Sequence, residues 1–241
     1  ALALSGSPTW RLVATNDSPP PGRREHTAVF DSMRDRLVIF GGYNGARIND
    51  VWALNFSYAS SWADITPSES GPTGRSGHSA IVDPAQDRMV VFGGDGASTS
   101  TSTWALSLDG TSAWRLLSPL GTAPASRREH GAVYDPLRNR MIILAGRASG
   151  SNFGDAWALS LDTALTWSEL PPPSGGPTAR IFHAAVNDPV RNEMVIFGAR
   201  DNANLYSNDV WALRLSRPPV WRKIVASGDQ PSPRRQVAAI Y

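Results

Sequence analysis

One pattern of about 52 residues is written four times in this chain, so whatever it folds into must be built from four like units. Each copy opens on an arginine with a histidine three residues later: Arg23/His26, Arg75/His78, Arg127/His130 and Arg180/His183. A fifth arginine, Arg234, has Val237 in the histidine slot. Successive arginines lie 52, 52, 53 and 54 residues apart. Tryptophan follows the same period. Trp52, Trp104, Trp157 and Trp211 form one series and Trp10, Trp62, Trp114, Trp167 and Trp221 a second, which accounts for all nine. Ten residues always separate a Trp of the first series from its partner, whereas the preceding gap grows from 10 (Gly42 to Trp52) to 12 (Ala199 to Trp211). All the growth therefore sits in one loop, and loop insertions in repeat proteins gather on one face, often the binding face.

Each copy reads as four short strands. In the first, His26–Phe30 is strand a, with alanine at its centre in every copy (Ala28, Ala80, Ala132, Ala185, Ala239). Asp31 closes it, and a proline follows the equivalent aspartate in three copies, which prevents the strand from continuing. Strand b, Arg36–Phe40, is continuously apolar, which implies cover on both faces; the Gly41-Gly42 pair is expected to end it. Strand c, Val51–Phe56, sets Trp52, Leu54 and Phe56 on one face at period two. Strand d begins near Trp62 after a turn. No helical periodicity persists for twelve residues. Four strands without a crossover helix make an antiparallel sheet, and such sheets stacked around an axis bury both faces and leave little edge. The prediction is an all-β propeller of four complete four-stranded antiparallel blades, with partial blade strands at both ends. Indole rings are expected to fill the space between sheets, since each buries roughly 150–250 Å².

The apolar strand-b run, the double glycines Gly41-Gly42 and Gly93-Gly94, and the Trp52/Trp104/Trp157/Trp211 series a loop later resemble the kelch repeat. The resemblance covers essentially the whole chain. It departs at Ala145 and Ala199, which replace glycines, and in lacking the tyrosine often placed before the Trp. It implies a propeller that acts as a binding module. The copies are expected over 23–74, 75–126, 127–179 and 180–233, with 1–22 and 234–241 as parts of incomplete blades in an excerpt of a longer array.

Several chemistries are excluded by residue content. Cysteine is absent, so disulfides, thiolate metal sites and cysteine nucleophiles are unavailable. The copper centre of galactose oxidase, whose propeller is kelch-like, needs a cysteine–tyrosine crosslink. The Ser107–Trp114 stretch only approximates the aspartate box of sialidases, its glycine coming too early. Neither a phosphate loop nor a nucleophile elbow is present. Net charge is only +2 and the arginine pairs are isolated, which argues against nucleic acid. No apolar run reaches the roughly 18–20 residues of a membrane-spanning helix. A single lysine beside 22 arginines suits a GC-rich genome, read here as bacterial, with an extracellular or cell-surface placement. No enzyme activity, metal or cofactor is expected.

Strand order places the d–a and b–c connections on one face. Arg23, Arg75, Arg127, Arg180 and Arg234 would there ring the mouth of the channel, either as a receptor for anionic groups or paired with acidic residues and carbonyls between blades. The histidines are expected to make structural hydrogen bonds, and Asp50, Asp155 and Asp209 to form turns or pair loops. Specificity is expected from the residues that do not repeat: Tyr43, Asn44, Arg47 and Ile48; Asp95 and Ser98–Ser102; Arg147, Asn152 and Phe153; Arg200, Asp201, Asn204, Leu205 and Tyr206. Aromatic and arginine side chains in loops are common interface anchors. The expected partner is a protein or peptide, with a glycan as the alternative.

Overall fold

A computed structural model describes residues 2–3, 9–15, 17–56, 59–96, 100–171, 175–216, 218–237 and 239. A short antiparallel pair, β1 (Leu2–Ala3) and β2 (Thr9–Trp10), precedes four blades arranged as a β-propeller. The first blade is β3 (Thr27–Asp31), β4 (Arg36–Tyr43), β5 (Arg47–Asn55) and β6 (Ser61–Asp64). The second is β7 (Ser79–Asp83), β8 (Arg88–Phe92), β9 (Thr103–Ser107) and β10 (Trp114–Leu117). In the third, β11 (Gly131–Asp135) and β12 (Arg140–Leu144) are followed by a small loop hairpin, β13 (Arg147–Ala148) and β14 (Ser151–Asn152). Strands β15 (Ala156–Ser160) and β16 (Thr166–Glu169) complete it. The fourth is β17 (Arg180–Ile181), β18 (Ala184–Asp188), β19 (Glu193–Asp201), β20 (Tyr206–Arg214) and β21 (Val220–Ile224). Every pairing within the blades is antiparallel, and the inner strands β3, β7, β11 and β18 neighbour one another about the axis.

The continuous apolar runs of strand b acquire their explanation here. Val38 and Phe40 pack against Met89, Val91, Leu106 and Trp114 of the second blade. Val90 and Phe92 turn the other way, toward Met141, Ile143, Leu159 and Trp167 of the third. Ile142 and Leu144 meet Met194, Ile196 and Leu213 of the fourth. Alternate side chains of one strand thus serve two different interfaces, and the core is a series of layers between blades. Each fully buried side chain of this size contributes about 1.5–3 kcal/mol, which a lone blade could not collect.

Three expectations need correction. The glycine pair ends strand b in the second and third blades, but in the first and fourth the strand runs on to Tyr43 and Asp201 through a register shift at Phe40/Gly42 and Phe197/Ala199. A bulge absorbs the extra residue and lets the ladder resume. The indoles do not share one fate: Trp114 and Trp167 are buried against Phe40 and Phe92 of the preceding blade, at ring-centroid separations of 4.8 and 4.9 Å. Strand-c tryptophans are only half-buried, and Trp10 is 82% exposed. Strand a begins one residue later than expected and includes the closing aspartate.

Candidate functional site

Of the two readings of the landmark arginines, four of the five follow pairing, and their side chains pair within a blade and not between blades. Arg23, Arg75, Arg127 and Arg180 lie buried inside their own blades. Arg127 sends Nη1 and Nη2 to the two carboxylate oxygens of Asp155 at 2.7 and 2.8 Å, and Trp157 Nε1 donates to the same carboxylate at 2.7 Å. Arg180, Asp209 and Trp211 repeat the arrangement, as do Arg23, Asp50 and Trp52. Burial alone would raise the Asp155 carboxyl; its hydrogen bond and charge interaction with Arg127 outweigh that and hold it below its ordinary value. In the second blade serine stands in place of the aspartate. Ser102 Oγ accepts from Arg75 Nη1 at 3.1 Å and Trp104 Nε1 at 3.2 Å, and burial without a carboxylate brings the guanidinium down to about 10. Arg234 is exposed and donates to Ser232 O.

The same arginines join neighbouring copies through the main chain. The carbonyls of Arg75, Arg127, Arg180 and Arg234 accept from Gly42, Gly94, Gly146 and Ala199 of the copy before, at 2.8–3.1 Å. Those pairings are between blades, while the side chains pair within one.

The residues two places after the landmark arginines line up across the four blades. Glu25, Gly77, Glu129, Phe182 and Gln236 have φ values of 57, 65, 60, 60 and 55°, all in the left-handed region. A collar of amide-to-carbonyl bonds links them: Gly77 to Glu25 at 2.9 Å, Glu129 to Gly77 at 2.7 Å, Phe182 to Glu129 at 3.2 Å and Gln236 to Phe182 at 3.0 Å. Only one of the five is glycine, and bulky side chains adopt this conformation at a cost. Above the collar lies a cup of about 540 Å³ lined by Arg24, Glu25, His26, Gly77, His78, Glu129, Phe182, Gln236 and Val237. The signal in the sequence was the slot before each histidine, which reads Glu, Gly, Glu, Phe and Gln inside an otherwise constant motif.

Four of the non-repeating residues singled out from sequence turn out to be structurally equivalent. Tyr43, Asp95, Arg147 and Arg200 each follow the glycine pair and bridge to Arg24, Ser76, Arg128 and Ile181 beside the collar. The Arg24 guanidinium lies over the Tyr43 ring at 4.8 Å. Asp95 Oδ2 accepts from Arg47 at 2.7 Å and Arg128 at 2.6 Å, drawing loops of three blades together. Asn152 spans to the fourth blade, its amide donating to Asn202 Oδ1 at 2.9 Å and its side chain to Arg200 O at 3.4 Å. Phe153 is half-buried beneath the Arg127 guanidinium at 4.5 Å.

Farther out, Asn44, Asp201 and Asn204 shape hairpin turns: Asn44 Oδ1 accepts from the Ala46 amide, Asp201 Oδ1 from Leu205, and Asn204 has φ 62°. Tyr206 is 48% exposed with the Arg235 guanidinium 5.6 Å from its ring. Ser98 and Thr99 lie outside the described residues.

Three of the four histidines are buried, whereas His26 is exposed. His78 Nε2 bonds Thr27 Oγ1 at 2.9 Å and His130 Nε2 bonds Ser79 Oγ at 2.7 Å, each reaching back to the previous blade. Gly131 stands in the corresponding place before His183, which has no hydrogen-bond partner at either ring nitrogen. Burial holds His78 and His183 down to about 3, and His130 well below its ordinary value. No group of three or more His, Asp or Glu among the described residues is arranged to hold a metal ion.

A model of the KLHDC2/KLHL20/DRC7 Kelch-repeats domain matches residues 5–111 and 97–241. The chain belongs to this Kelch-repeats family. It is 28% identical over 244 residues to acyl-CoA-binding domain-containing protein 5 of Arabidopsis thaliana, covering 96% of this chain and 36% of that protein. Human host cell factor 1 is 32% identical over 194 residues, 70% of this chain and 9% of its own length. The leucine-zipper-like transcriptional regulator 1 homolog of Drosophila melanogaster is 27% identical over 219 residues, 87% of this chain and 21% of that one. The Kelch region thus spans about a third or less of each of these relatives. All three are eukaryotic, which lends no support to a bacterial origin or to a secreted or cell-surface placement.

Proposed function

We propose that this Kelch region is a non-enzymatic recognition module that holds a protein or peptide partner on the face carrying the b–c and d–a loops. The observation behind this reading is the set of equivalent positions Tyr43, Asp95, Arg147 and Arg200, which carry three kinds of side chain around one cup. Tyrosine and arginine are the side chains that most often anchor interfaces. The exposed edge of Tyr206 and the stacked Arg24–Tyr43 pair extend that surface outward. Membership of the Kelch-repeats family supports a scaffold of this kind.

The test is capture of partners by the chain and by a Tyr43→Ser/Arg147→Ser/Tyr206→Ser variant, with unfolding curves as the control. Loss of captured proteins by a folded variant is the expected result. Unchanged capture would reject this face, and binding on a glycan array without protein capture would move the reading to a carbohydrate module.

A further inference from the structure

The cup contains a carboxylate that is only half satisfied. The Glu129 side chain is 8% exposed, its Oε1 lies 3.6 Å from Arg128 Nε, and its Oε2 has no hydrogen-bond partner. Its backbone is held at φ 60° by the collar, so the side chain is presented at the axis by a conformation that costs free energy. Buried polar atoms left without partners are rare, and each calls for an explanation. Glu25, at the same collar position two copies earlier, supplies a second carboxylate whose Oε2 accepts from Ser76 Oγ at 2.9 Å.

We propose that the cup receives a cationic side chain, a lysine ammonium or an arginine guanidinium of a protein partner, with Glu129 as its main acceptor and Glu25 as the second. An incoming N–H donor would complete the Oε2 valence, beside the Phe182 ring that the Arg200 and Arg235 guanidinium groups approach at 5.7 and 5.3 Å. Burial pushes the Glu129 carboxyl above its ordinary value. Arg128, Arg147 and Arg200 oppose that shift and Glu25 adds to it, and an arriving cation would relieve the penalty. Three of the nearby arginines already have partners. Arg47 and Arg128 are engaged by Asp95, and Arg24 is stacked on Tyr43 with Glu25 beside it. The acid pair is specific to the first and third copies; Gly77, Phe182 and Gln236 fill the slot elsewhere.

This inference rests on the loop face being the recognition surface, and its test separates the two claims. The folded chain is titrated with the blocked peptide acetyl-Gly-Lys-Gly-amide and with its arginine, norleucine and aspartate counterparts, followed by amide shifts at Gly77, Glu129 and Phe182. The lysine and arginine peptides are expected to bind at least about tenfold more tightly than the other two, a difference of about 1.4 kcal/mol. Glu129→Gln should weaken the lysine peptide by a similar factor, Glu25→Gln by less. Glu129→Asp, which keeps the charge but withdraws it by one methylene, should also weaken it and serves should the amide variant not fold. Equal binding of norleucine and lysine, preference for aspartate, undiminished binding by a folded Glu129→Gln chain, or no shift at any peptide concentration would each overturn the cup proposal. Partner capture lost in the Tyr43/Arg147/Tyr206 variant would leave the face standing in that event; capture unchanged there would sink the face itself.

Discussion

The two faces of the propeller solve the same problem in opposite ways. On the face carrying the a–b and c–d turns, every copy closes strand a with an aspartate, and three pair it with the first arginine of strand b. Asp31–Arg36, Asp83–Arg88 and Asp135–Arg140 are bonded at 2.8–2.9 Å with both partners largely buried. Arg36 and Arg140 continue across the interface to Leu108 O and Leu215 O. The turn residues with positive φ there are Asp35, Asp87, Asn139 and Asn192, the types that tolerate it best. On the opposite face the collar backbone repeats while the b–c connections differ in length and pairing, positive φ in the collar falls on Glu, Phe and Gln as well as Gly, and the side chains change from copy to copy. Identical chemistry marks the frame, and varied chemistry marks the face on which the proposed recognition would take place.

The widest gap between frame and surface should appear in acid. His78, His130 and His183 titrate, when folded, below the 6.5 expected of an unfolded chain, because burial disfavours the charged ring. The unfolded state therefore takes up protons first as pH falls. Stability is complete above pH 6.5 and should be lost downward toward 3, at about 1.4 kcal/mol per pH unit for each imidazole. Glu129 has the opposite sense: its raised value disfavours the folded state as pH rises through it. Denaturant midpoints from pH 7.5 to 4.5 should fall steeply, with a slope about one-third shallower in His183→Gln. A flat profile would show that the buried imidazoles are no part of the frame.

Next in size, Asp83→Ala leaves Arg88 buried without its carboxylate and should cost about 3–5 kcal/mol in urea unfolding. Ser102→Asp should restore to the second blade the arginine–aspartate–tryptophan set of the other three, and raise stability by about 1 kcal/mol. Ala145 adopts φ 59° where the other copies have glycine, so Ala145→Gly should gain about 1 kcal/mol, less the entropy of a looser unfolded chain. Smallest of all, Arg47→Ala removes a half-exposed ion pair with Asp95 and should change stability by under about 1 kcal/mol while lowering partner capture. A large stability loss at Arg47 would place it with the frame and erase the contrast between faces.

The period of the Arg, His and Trp landmarks was enough to read the blades, because packing between like sheets leaves the same imprint in every copy. Pairing of the arginines with acidic residues was one of the two readings, but that Arg127 takes Asp155 was not legible. The two are 28 residues apart, and nothing local in either says that one closes on the other inside a blade. Tyr43, Asp95, Arg147 and Arg200 were found because they break the repeat, although their equivalence needed the bulged strands of the first and fourth blades to be seen. The collar went unread for a related reason: Gly77 advertises a left-handed backbone, while Glu25, Glu129, Phe182 and Gln236 conceal one.

Because the four bonds that join those five residues run between main-chain atoms alone, what hangs from them is interchangeable. A carboxylate, an aromatic ring or an amide can be swapped at any of the five stations without removing a bond of the run, provided the newcomer accepts its twist. The architecture then stays where it was while the chemistry above it changes.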